Sequence, residues 1–286
     1  MAYEGVPTVR KRLLGYHLRQ LREAEGLKWE DTAARLQVAK PTVMRQESGH
    51  SAVSSANLEV LLDFYKVGDL DKRSRLEAFR QHGRKRGTWH AFGTEIGPTL
   101  RDLADAESIA TSILWWELGV IPGILQTDEY AEATLRGASV QATNDETLRE
   151  LAHLRRERRH TLEKDGAPEA WFILGEAALR TRTGGPGKAV METQIRYLLD
   201  ISEQPHVNIQ VVPFAAGAHP GVAGSFTLLG FDQVLTYQAL YFETAGIITD
   251  EEKLVGENQA RFTRLRSQAE STQQSRKFLR EVLATL

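Results

Sequence analysis

Within the run AKPTVMRQESG, residues 39–49, a lysine, a threonine and an arginine stand at positions 40, 42 and 45, ahead of Ser48 and Gly49. In a helix beginning near Lys40, Val43 and Glu47 share the inward side, while Lys40, Thr42 and Arg45 lie towards the other. An arginine fork bonds guanine at two atoms, and lysine or threonine reaches guanine or a phosphate oxygen. These residue types at this spacing offer contact with a nucleic acid duplex. The competing account is a solvated face on a small helical bundle.

Charge is distributed in the same sense. The 286-residue chain has a formal net charge of −2, yet residues 1–90 hold 17 Lys/Arg against 11 Asp/Glu, a net of +6. The remaining residues carry a net of −8. A basic end joined to an acidic body implies that only the first part meets a polyanion.

Periodicity supplies the elements that position these residues. Leu14, Leu18 and Leu21 give an amphipathic helix over 10–25, which Gly26 ends. WEDTAARL (29–36) opens with acids in its first turn, and a short turn through Gln37 and Val38 leads to a helix over 40–48. Pro41 falls in its first turn, where a missing N–H costs nothing, and Gly49 stops it. Leu58, Leu61, Leu62 and Tyr65 mark a fourth helix (57–67), capped by Ser54 or Ser55, and a fifth (71–87) ends in a basic run read as a linker.

The segment LKWEDTAARLQVAKPTVMRQESGH (27–50) resembles the XRE/Cro-type helix-turn-helix. That resemblance implies base-reading positions at Lys40, Pro41 and Arg45, with Trp29, Thr42 and Ser48 nearer phosphates. The sequence departs from the family pattern at Gln37, where a turn glycine is usual, at Ala39 in place of a capping serine, and at Gln46 in place of a core-like residue.

From Trp89 the texture changes. Runs at 112–120, 170–179, 207–214, 224–231 and 239–244 read as strands. Helices are expected over 144–164, 188–203, 250–267 and 272–285; capping boxes at Thr143–Glu146, Thr249–Glu252 and Ser271–Gln274 open three of them. The expected architecture is multidomain, a five-helix all-α domain over 1–88 followed by an α/β domain over 89–286 with a mixed sheet and packed helices. The stretches VIPGILQTDEYAEATLR, WFILGEAALRTRTGGPG, NIQVVPFAAGAHPGVAGSFTLL and YFET resemble the C-terminal domain of actinobacterial WhiJ-like regulators. That resemblance implies an antitoxin-like regulator with a small BldB-like protein as its partner.

Enzymatic signatures are absent from the body. GGPGKA (184–189) has Arg182 and Ala189 where a phosphate loop needs glycine and Ser or Thr. There is no G-x-S-x-G elbow, and the eight histidines are dispersed. No catalytic residue, metal or cofactor is expected. Glu117, Glu176, Arg180, His219 and Glu243 fall at or beside strand ends, where α/β sheets place binding groups, and Trp115, Trp116, Tyr130 and Phe214 join His219 as candidate partner anchors. Trp115 and Trp116 cannot both face outward on one strand. The Arg-rich HLRRERRH (153–160) reads as a solvated helix face.

Zero cysteines exclude disulfides, and no apolar run approaches a membrane span. The expectation is a cytoplasmic, homodimeric transcription regulator that binds a double-stranded DNA operator, with the acidic body over 89–286 sensing a partner protein or a ligand and contributing to dimerisation. The alternatives are a protein-interaction module that has lost DNA binding, or an enzyme tethered to DNA.

Overall fold

A computed structural model describes residues 7–84, 97–138, 144–183, 188–231, 238–242 and 246–286. The chain divides into two compact units, Met1–His90 and Ala91–Leu286.

The first unit is helical: α1 (Val9–Ala24), α2 (Trp29–Leu36), α3 (Lys40–Glu47), α4 (Ser55–Phe64) and α5 (Leu70–Arg84). The spaced leucines of α1 and α4 converge with Val53, Tyr65, Val67 and Leu76 into one core. Gly26 leaves α1 at φ +67°, a conformation open to glycine. Ser54, rather than Ser55, caps α4, its hydroxyl accepting from Asn57 N at 3.0 Å. The basic run after Arg84 lies outside the described residues.

The second unit is built on a six-stranded mixed sheet in the order β3-β2-β1-β4-β5-β6. Its strands are β1 (Ser112–Glu117), β2 (Glu169–Gly175), β3 (Val207–Val212), β4 (Phe226–Gly230), β5 (Gln238–Phe242) and β6 (Ile247–Thr249). β1, β2 and β3 run parallel, whereas β4, β5 and β6 continue antiparallel from the other side of β1. The parallel steps are bridged by helices: α7 (Asp128–Ala138) and α8 (Asp145–Arg159) after β1, α9 (Glu176–Arg180) and α10 (Ala189–Ile201) after β2. α6 (Pro98–Ile109) precedes the sheet, and α11 (Glu252–Gln268) and α12 (Thr272–Thr285) follow it.

Both faces of β1 are covered, which is why Trp115 and Trp116 are both buried although they point opposite ways. Trp116 joins Ile173, Leu228, Leu240 and, from α11, Val255, Phe262 and Leu265. Trp115 lies across from Phe172 and Thr227, with the Arg158 guanidinium of α8 6.0 Å from its ring. The edge of β3 is closed by α12: Val211 N donates to Ser275 Oγ and Glu270 N donates to the Val211 carbonyl, both at 2.9 Å.

Several expected boundaries move for local reasons. The run 170–179 leaves the sheet at Gly175, where a Cβ would lie 2.8 Å from the Leu118 carbonyl oxygen, and turns into α9. The run 207–214 stops before Pro213, which has no N–H for a ladder. Ser271 and Gln274 form the expected reciprocal cap at 3.2 Å. Thr249 instead ends β6, its hydroxyl accepting from Glu251 N, so it does not cap α11. Thr143 lies outside the described residues; Asn144 caps α8 by accepting from Thr147 N at 2.7 Å.

The Arg-rich segment is not the solvated face that its composition implies. Arg158 forks onto Glu107 of α6 at 2.7 and 2.8 Å, with both side chains buried. Arg155 donates to Gln126, and Arg156 and Arg159 hold Asp128 in the first turn of α7. These arginines tie α8 to its neighbours, an arrangement that spacing along one helix cannot reveal.

Candidate nucleic-acid interface

The turn between α2 and α3 is tight. Gln37 takes φ 55°, ψ 43°, the left-handed conformation usually left to glycine, and Val38 N closes the turn on the Ala33 carbonyl at 3.0 Å. The turn therefore forms despite the missing glycine, at a conformational cost. Ala39 precedes α3 without a side-chain cap, and Pro41 occupies its first turn.

α3 has a buried and an open side. Val43 and Gln46 are buried, and Thr32 of α2 shares a 3.1 Å hydrogen bond with the Tyr65 hydroxyl. Burial pushes the Tyr65 phenol up to about 12. Glu47 accepts from Arg22 of α1 in a fork, Nε–Oε1 at 2.6 Å and Nη2–Oε2 at 2.9 Å, with both side chains 6% exposed. Arg22 also donates to the Leu27 carbonyl. The hydrogen bond to Glu47, opposed by burial, raises the Arg22 pKa above its ordinary value. Gly15 makes this approach possible, because a Cβ there would lie 2.3 Å from the Glu47 carbonyl oxygen. Gly49 stops α3 at φ +78°, where a Cβ would meet Arg12 N at 2.9 Å.

On the open side, Lys40, Pro41, Arg45 and Ser48 are exposed and Thr42 is half-buried. The Lys40 ammonium pairs with Glu30 of α2 at 2.6 Å and lies 5.4 Å from the Trp29 ring. That exposed pairing lowers the Glu30 pKa. Among the described residues the Arg45 guanidinium has no hydrogen bond or ion pair. The Ser48 hydroxyl lies 3.1 Å from His50 Nδ1. Trp29 differs from its expected place near phosphate: its single N–H donates to Glu47 Oε2 at 2.8 Å, so the indole is a brace inside the unit. Residue spacing missed Arg22 and Gly15, whose roles depend on which helix crosses α3.

The candidates in the body separate into satisfied and exposed groups. The buried Glu117 carboxylate accepts from Trp115 Nε1, Leu118 N and the Ser225 hydroxyl. Tyr130 is fully buried, its hydroxyl accepting from Ile121 N at 3.1 Å, so it offers no surface to a partner. Glu176 accepts from Arg180 Nε at 2.6 Å and from Phe214 N at 2.8 Å, binding α9 to the loop after β3. His219 lies edge-on to Trp116 at 5.1 Å and accepts at Nδ1 from Gly221 N, while burial lowers its pKa. Phe214 is 65% exposed. Glu243 lies outside the described residues. Beyond the carboxyl ends of β1 and β2, a groove of about 780 Å³ is lined by Val120, Glu129, Glu132, Thr181, Arg182 and Val190. No metal-binding cluster of His, Asp and Glu occurs among the described residues, and none of their helices is long and apolar enough to cross a membrane.

Residues 13–76 match a family described as a helix-turn-helix domain, in agreement with the α2–turn–α3 geometry. This identifies the first unit with the helix-turn-helix type found in DNA-binding regulators. No curated protein and no solved structure matches the chain. Residues 100–281 match a domain of unknown function (DUF5753), and over that stretch, which is more than half its length, the chain belongs to the DUF5753 family.

Proposed function

We propose that the chain is a sequence-specific transcription regulator that binds a DNA operator as a homodimer. Lys40, Pro41 and Arg45 contact base edges, and Thr42 and Ser48 contact phosphates. The observation that carries this reading is the division of α3: one side is locked by Arg22 and Glu47, and the other holds the exposed Arg45, whose guanidinium has no hydrogen bond or ion pair among the described residues. A single recognition helix covers too few base pairs for genomic specificity, which supports a dimer on a pseudo-palindrome. Selection of duplexes from a random library by the full chain tests it. One sequence should be enriched, and log K should fall by about 0.9 per phosphate contact for each unit of log salt. Recovery of no preferred sequence, or a flat salt response, refutes it.

In this reading the acidic body regulates binding through a small BldB-like partner protein, in an antitoxin-like relationship. Phe214, exposed on the loop beside His219, supports a protein contact. Such docking regulates only if it changes the free energy of the DNA-competent state. Pull-down with the small protein, followed by operator titration with and without it, tests the step; unchanged operator affinity removes it. The groove beyond β1 and β2 favours a second reading, a small-molecule effector, because its volume suits a ligand and it lies where α/β sheets bind them. Neither reading needs an enzyme: Ser225 bonds a carboxylate directly, and His219 Nδ1 is turned to a backbone amide.

A further inference from the structure

Met44 is anomalous on α3. It is 41% exposed, while Val43 and Gln46 on either side of it are buried. It stands one helical turn after Lys40 and one turn before Ser48, within the open side that carries Arg45. Large apolar side chains left to water among the described residues are few: Met44, Leu70, Phe214, Val222 and Ile247. Of these, Met44 alone belongs to α3.

A thioether has no hydrogen to donate and accepts only weakly, so it cannot read the donor and acceptor pattern of a base edge. It can make an apolar contact. In the major groove the distinctive apolar feature is the C5-methyl of thymine, and the unbranched methionine chain adapts to the surface it meets. The Lys40 ammonium is drawn towards Glu30 and Trp29 of α2, and Met44 beside it stays 41% exposed.

We propose that Met44 is a specificity-determining residue that packs on the methyl of a thymine, in the same half-site whose guanine Arg45 contacts. This rests on the DNA-binding reading above. It adds a base that the cationic residues do not determine and assigns the contact to a residue outside the positions implied by resemblance.

The test uses the full chain and the duplex enriched from a random library. Each thymine is replaced in turn by deoxyuridine, which removes the methyl and leaves pairing intact. At one thymine per half-site the wild type should bind the uridine duplex about fourfold more weakly, the fold-change equivalent to ~0.8 kcal/mol per buried methylene-sized group. Met44→Ala should bind both duplexes equally, while Arg45→Ala, as a control, should keep the fourfold ratio. Because Met44 is exposed, the variant is expected to fold, and its thermal midpoint checks this. A wild type indifferent to every replacement, or a Met44→Ala chain with an unchanged thymine preference, overturns the assignment while leaving DNA binding intact. Failure to enrich any duplex overturns both.

Discussion

The Arg22 guanidinium of α1 and the Glu47 carboxylate of α3 form a buried two-point fork, at 2.6 and 2.9 Å. A third donor, Trp29 Nε1, reaches the same carboxylate at 2.8 Å. Glu47 thus joins α1, α2 and α3 at one point and sets how α3 presents its open side. Removing one partner strands a buried charge, so Arg22→Ala should destabilise the first unit by roughly 3–5 kcal/mol. Chemical denaturation measures it. The exposed Lys40–Glu30 pair is the contrast, and Glu30→Gln should leave the midpoint nearly unchanged.

Gly15 should tolerate no side chain. A methyl at its Cβ position would sit 2.3 Å from the Glu47 carbonyl oxygen and 2.7 Å from that of Gln46, both backbone atoms that cannot rotate away. Gly15→Ala gains helix propensity, yet overpacking should outweigh it by about 1–3 kcal/mol. A raised melting temperature would show that α1 and α3 do not pack this closely.

The Tyr65 phenol, pushed up to about 12 by burial, makes an alkaline prediction. Its folded pKa lies above the ordinary tyrosine value near 10, so the neutral form favours the folded state. That contribution is complete below about pH 10 and is lost as pH rises through about 12. Denaturant midpoints of the first unit should therefore fall across that window, and Tyr65→Phe should flatten the decline. An identical slope in the variant would assign the effect to another group.

Much of this could be read from the sequence, and the failures share a cause. The helix-turn-helix was visible because Val43, Pro41 and Gly49 carry local signals of facing, starting and stopping. The Ser271–Gln274 cap was visible for the same reason. Trp29, Tyr130 and the arginines of α8 were misplaced because their partners lie on other elements, and no spacing along one helix specifies Glu47, Ile121, Glu107 or Asp128. At Gln37 the expected turn forms although its residue type disfavours a φ of 55°.

The central claim is that the open side of α3 reads DNA through Arg45, and base-resolved footprinting of wild type and Arg45→Ala on the selected duplex tests it most directly. The account predicts a loss of about 1–3 kcal/mol in binding, with discrimination relaxed at a single base pair per half-site and the rest of the protected region unchanged. Equal affinity and identical protection by the two proteins would contradict it.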